Sequence, residues 1–241
     1  MSSKGKYIGV ESRVQYDVLE ATLYEYLSNG KVDKEKCLSH IKQFTKGENR
    51  AGKILKHITV LLTKNEAIIN KISKRLDAGV FAQLSSGERK ALVLCLFCNS
   101  FPITYDILIG FAQAFKVQSI VSKEVIIHKI GSAYGSNRAM HIAVTEILPF
   151  LIECGIIERV KVGIYSTGSK LSISNKVISE LIVFTDIRLS ASKSMLIDEL
   201  GYKPWYSYFE LLNISPESFN ILLSKKDSAV GKGYLTISLV S

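Results

Sequence analysis

Arg138, His141 and Thr145 recur at helical spacing, and Met140, Val144, Ile147 and Leu151 fill the other side of the same stretch. That pattern predicts a helix beginning at Ser136, with Asn137 in its first turn. Arg and Asn match the edges of guanine and adenine in a major groove, and a recognition helix offers them from its N-terminal turn. Ser136, Asn137 and the free N–H groups of such a helix start could equally hold a phosphate. Downstream, Arg159, Lys161 and Lys170 fall on an expected hairpin, where contacts go to phosphates or to the minor groove. A second set is cationic. Arg50, Lys53, His57 and Lys64 share one stripe of an upstream helix, opposite Ile54, Ile58, Leu61 and Leu62. Lys71, Lys74 and Arg75 extend it. Residues 31–75 hold 12 basic and 4 acidic side chains, a net of +8 in a chain of net +9. Such density suits a phosphate backbone; the plain alternative is a solvated face.

Other spacings carry less. Cys95 and Cys98 form a CxxC, and Cys37 and His40 share that spacing, so a four-ligand zinc site can be written down. Yet Cys95 and Cys98 sit inside an apolar run, where cysteine acts as a small hydrophobe. The remaining histidines are scattered, and no Walker loop, G-x-G-x-x-G or G-x-S-x-G occurs. Trp205 lies in an aromatic-rich stretch that could stack on bases, pack in a core or meet a partner. No catalytic constellation, metal site or cofactor site is expected.

The elements that must position these groups are mostly helical. Periodic apolar residues predict helices over about 14–27, 33–44, 49–62 and 65–76. Asn29-Gly30 supplies a left-handed stop, and Ser85 with Glu88 a capping box for a helix through Cys98. No alternating strand pattern is seen before residue 155. Helices over 104–115 and 122–132 precede the one at Ser136, which runs towards Glu153 through Pro149. Strand signals at 156–162 and up to 173 flank Gly163. Three helices closed by a Gly-turned hairpin is the layout of a winged helix-turn-helix. Beyond it, 176–184 reads as helix or strand, 194–200 and 216–223 as helical, and 233–240 as a strand. The expected fold is mainly α: a basic helical domain over 1–100, a winged-helix-like domain over 101–175 and a C-terminal α+β region over 176–241. The last part could be a second, degenerate winged unit.

Length and composition agree. The 241 residues are 47% hydrophobic and 22% charged, which excludes a disordered tail, a collagen and a disulfide-stapled mini-protein. No apolar segment follows the polar start, and the longest clean apolar run, 91–98, is far below the roughly 20 residues of a spanning helix. A soluble cytoplasmic protein with reduced thiols is expected.

The order of these features resembles a family. Tyr24-Glu25-Tyr26-Leu27 leads into the short helix at Lys34, and Lys74-Arg75-Leu76 follows. Then come 86–96 with 101–111, and Tyr134-Gly135-Ser136-Asn137-Arg138 before the long helix. Over residues 14–165 this is similar to the BrxA proteins of BREX phage-defence systems, whose helical part resembles the NusB antitermination fold. The resemblance implies a non-enzymatic, prokaryotic DNA-binding component of a multi-protein defence system. Duplex DNA is the expected partner. RNA bound through the NusB-like half, or acidic and apolar proteins bound by an adaptor with Trp205 exposed, are the alternatives.

Overall fold

Capping residues set most helix boundaries in the computed structural model, which describes residues 6–135, 137–212, 215–228 and 231–238. Helix α1 (Tyr16–Asn29) stops at Gly30, whose φ of 68° is left-handed and suits glycine. Asp33 caps α2 (Lys34–Lys42) by accepting from the N–H groups of Glu35 and Lys36. The expected break after residue 62 is absent, and α3 runs unbroken over Glu48–Ile72. Asn65, read from sequence as a helix start, is buried in mid-helix. Its Nδ2 donates to the Leu96 carbonyl at 2.9 Å and the Ser100 hydroxyl at 2.7 Å, so the side chain ties α3 to α5 and does not act as a cap. Asp77 caps the short α4 (Ala78–Gln83). The Ser85–Glu88 box heads α5 (Ser86–Ser100), and Pro102 opens α6 (Pro102–Phe115).

The chain is mainly α with some β. Its centre is α5 packed on α9 (Lys176–Leu189). α5 is buried from Ala91 through Ser100 and α9 from Val177 through Ile187. Burial on every side removes the polar stripe that marks a helix, which is why 176–184 read equally as strand. The buried residues form one cluster reaching from Val10 to Leu235, across residues 100 and 175. Among the described residues no single helix is long and apolar enough to cross a membrane. The pair α5–α6 reaches that length only together, and it is bent by 116°.

Between α6 and residue 167 the chain runs β1 (Ile120–Ser122), α7 (Lys123–Tyr134), α8 (Arg138–Glu153), β2 (Ile157–Lys161) and β3 (Ile164–Thr167). The three strands form an antiparallel sheet of order β1-β3-β2. β1 corrects the expectation of no strand before 155. Three residues cannot show alternation, and the partner of Val121 is Tyr165, far along the chain. The second expected hairpin strand is two strands in two sheets. β3 stays in the hairpin, whereas β4 (Leu171–Ile173) pairs in parallel with β6 (Phe209–Leu211). The helices expected at 194–200 and 216–223 are also corrected. The first is β5 (Ser194–Leu196) followed by a 3-10 turn at Ile197–Glu199; the second is a 3-10 turn at Pro216–Ser218 before β7 (Leu223–Lys226). Both strands pair with β8 (Tyr234–Ile237), the strand expected near the end. Pairing with β8, far along the chain for β5 and close by for β7, outweighs local helix propensity there.

One buried acid joins the heads of the two central helices. Glu88 Oε2 accepts from the Ser85 N–H at 3.0 Å, and Oε1 accepts from the N–H groups of Ser174 (3.1 Å) and Asn175 (2.8 Å). Burial alone would raise its pKa, but the hydrogen bonds from Ser85, Asn175 and Ser174 prevail and hold it down to about 2. The folded carboxyl therefore titrates below its unfolded value of 4.5. Its stabilisation is complete above that value and is lost as the pH falls towards 2. Glu88→Gln should be less stable than the parent at neutral pH, and should lose less on going from pH 5 to pH 2. Urea midpoints measured across that range test this; parallel curves for the two proteins would refute it.

Candidate functional site

Asn137 caps α8, its Oδ1 accepting from the Met140 N–H at 3.0 Å. The helix therefore starts at Arg138 and not at Ser136, which lies outside the described residues. As the wheel requires, Met140, Val144, Ile147 and Leu151 are buried, and Arg138, His141 and Thr145 are exposed together with Ile142. The Thr145 hydroxyl donates back to the His141 carbonyl at 2.9 Å. The hairpin turns at Val162 and Gly163, and Gly163 has a φ of 75°. The Lys123 N–H donates to the Gly163 carbonyl at 2.8 Å, which ties the turn to the head of α7.

A groove of about 290 Å³ lies between these parts, lined by Lys123, Glu124, Thr145, Leu148, Arg159 and Val162 among others. The fold thus brings Thr145 and Arg159 together and adds Lys123, which the sequence reading missed. Lys123 follows Ser122, whose side chain caps α7, so a start signal for this helix was present. Among the described residues none of Lys123, Arg138, Arg159 and Lys161 has a carboxylate within ion-pair distance. Lys170 is not on the hairpin. It is exposed in the loop before β4 and lines a separate cavity of about 610 Å³ with Tyr206 and Lys232.

The α3 stripe is only in part a free cationic face. Arg50 pairs with Glu146 of α8 at 3.3 Å, and Lys53 with Glu11 at 3.4 Å. His57 is only 6% exposed. Its Nε2 lies 3.0 Å from the Gly9 carbonyl and 3.2 Å from the Glu11 N–H, and its ring meets Phe101 edge-on. Burial lowers its pKa, which favours the neutral imidazole. Lys64 Nζ donates to the Ser100 carbonyl at 3.0 Å and sits 4.6 Å above the centre of the Tyr7 ring. Of the stripe expected to face phosphates, His57 is covered by the chain's own segment 7–11, whereas Arg50, Lys53 and Lys64 stay exposed and are each held by a partner. That segment is fastened at both ends. Lys6 pairs with Asp106 at 3.0 Å, Arg13 pairs with Glu153, and the Arg13 N–H donates to Glu146 at 2.6 Å. Lys71 donates to the Ser238 carbonyl at 3.5 Å, whereas Lys74 and Arg75 are exposed beyond the end of α3.

Trp205, expected at an exposed patch in the adaptor alternative, is fully buried. Its Nε1 donates to the Ile182 carbonyl at 3.1 Å, and its ring lies between those of Tyr105 and Phe209. All four cysteines are buried free thiols. Cys95 and Cys98 face the core from α5, and burial pushes the Cys95 thiol up to about 12. Among the described residues no three His, Cys, Asp or Glu side chains converge as metal ligands would. Comparison of the chain with protein-family models, with curated proteins and with solved structures gives no match.

Proposed function

We propose that the stretch from α6 through β3 is a winged helix-turn-helix that binds duplex DNA, with α8 in the major groove and the β2–β3 hairpin on the neighbouring backbone. One observation carries the reading. The β1-β3-β2 sheet closes on α7 and α8 so that Thr145 of the outer face of α8 and Arg159 of the hairpin line one groove. Arg138 and His141 then read base edges, because the side chain of Asn137 is engaged in the cap. Lys123, Arg159 and Lys161 take phosphates. The reading is non-enzymatic and needs no cofactor. The resemblance to BrxA proteins would give such a unit a place in a multi-protein phage-defence system.

A mobility-shift titration of the full chain tests this, with duplex DNA and RNA run in parallel across a salt series. Three to five neutralised phosphates should give a slope of log affinity on log salt of about −3 to −4.5 for duplex. Absence of duplex binding at low salt, or preference for RNA in direct competition, would refute it. The adaptor alternative is favoured by one observation. Val160 and Val162 are exposed at the hairpin, Val162 to 91%, and could seat on a protein. Such an adaptor would bind neither nucleic acid at low salt.

A further inference from the structure

Four side chains form one stripe along the outside of α8. Arg138, His141, Ile142 and Thr145 stand at i, i+3, i+4 and i+7, and all four are exposed. Their chemistry changes along the helix. The first turn offers a guanidinium and an imidazole, and the next offers hydrocarbon. Ile142 is 37% exposed. The Thr145 hydroxyl spends its proton on the His141 carbonyl at 2.9 Å, one turn back. It cannot also donate to a base, so the apolar contact open to Thr145 is through its methyl group. Glu146, one turn on from Ile142, is compensated. Its Oε2 accepts from the Arg13 N–H at 2.6 Å and lies 3.3 Å from Arg50, so it sets no bare carboxylate against a phosphate.

An exposed isoleucine taken singly means little on a protein surface. This one lies within the stripe that carries Arg138, and duplex DNA has one apolar group to match it in the major groove, the C5-methyl of thymine. Along the helix axis Ile142 lies about 6 Å from Arg138, and Thr145 about 10 Å, which corresponds to roughly two to three base pairs. We infer that the stripe reads a guanine with thymines close by: Arg138 takes the guanine edge, and Ile142 with the Thr145 methyl packs on thymine C5-methyl groups two to three base pairs away. The inference rests on the duplex-binding reading above and adds to it the class of sequence preferred. A contact between methyl groups takes apolar surface out of water and makes no hydrogen bond. It therefore separates thymine from uracil, which differs by that methyl alone.

Selection from a randomised duplex pool by the full chain supplies the target, and mobility shifts on the selected duplex test the contact. Deoxyuridine in place of the thymines two to three base pairs from the selected guanine removes the methyl groups and keeps pairing and charge. Parental affinity should fall about fourfold for each methyl lost, and the same replacement outside the footprint should change nothing. Ile142→Ala and Thr145→Ser should each weaken binding to the thymine duplex and reduce its preference over deoxyuridine. Thr145→Val, which keeps a methyl, should retain that preference. Arg138→Ala should weaken the thymine and deoxyuridine duplexes alike. Selected duplexes without thymine near the guanine, equal parental affinity for the two duplexes, or a preference unchanged in both Ile142→Ala and Thr145→Ser would overturn the inference and leave duplex binding standing. No duplex binding by the parent at low salt would overturn both. Thermal melts of each variant identify any loss that comes from unfolding.

Discussion

Arg138→Glu and Arg159→Glu combined in one chain should abolish duplex binding at physiological salt, a loss of at least about 100-fold. A base-reading arginine contributes about 1–3 kcal/mol of discrimination, and reversing its charge adds repulsion from the phosphates nearby. Both side chains are exposed and carry no carboxylate partner among the described residues, so the substitution leaves no acid stranded and the fold intact. The contrasting variant is Arg50→Ala with Lys53→Ala. Composition alone would have made these the main phosphate ligands, but each already pairs with a carboxylate, Glu146 or Glu11. Duplex affinity should stay within about twofold for this pair, since removing exposed ion pairs costs only about 0–1 kcal/mol of stability each. A mobility shift on the two variants separates the surfaces. If the α8–hairpin variant binds like the parent and the α3 variant does not, the proposed interface is wrong.

The sequence was most legible where structure depends on near neighbours. The Ser85–Glu88 box, the Asn29-Gly30 stop and the apolar face of α8 are local patterns, and each stands in the fold. Legibility failed wherever a distant segment decided the outcome. β1 and β5 are each three residues long and exist only through strands far along the chain, and β7 depends on its short hairpin with β8. Asn65 looked like a cap because the carbonyl of Leu96 was not in view. The partners of the α3 stripe and the burial of His57 were hidden for the same reason in another form. A helical wheel shows that Lys53, His57 and Lys64 share a side, but it cannot show that segment 7–11, which has no period, lies along it. Burial of Val10 and Val14 binds that segment into the core, and the polar groups above them then find partners on α3. Among the site residues, Arg138, His141, Thr145, Arg159 and Lys161 needed only a correct helix face and hairpin to be placed on the surface. Lys123 needed the turn at Gly163 to come back to the head of α7, an encounter that is not written in local spacing.

Glu180→Ala should cost about 4–6 kcal/mol, a large share of the roughly 5–15 kcal/mol by which folded proteins are stable. Glu180 lies on α9 and is only 2% exposed, and no lysine or arginine forms an ion pair with it among the described residues. Its Oε1 accepts from the N–H groups of Ile221 (2.8 Å), Leu222 (2.6 Å) and Leu223 (2.8 Å), and Oε2 from that of Asn220 (3.2 Å). Four consecutive amides thus converge on one carboxylate where the chain enters β7. Backbone N–H groups in a row carry partial positive charge, and a carboxylate ringed by them is compensated without a cation. Removing it leaves four donors short of an acceptor, at about 1–3 kcal/mol for each that water cannot reach. Glu180→Gln keeps one acceptor oxygen and loses the charge, so its loss should fall between parent and Ala variant. Urea unfolding measures the ranking, and a loss under about 1 kcal/mol for the Ala variant would show that the amides find other partners. Protease digestion adds the spatial test. Because the carboxylate fastens β7, and through it β8, to the central helix, cleavage in the Ala variant should begin within 215–228 while α5 and α9 still resist.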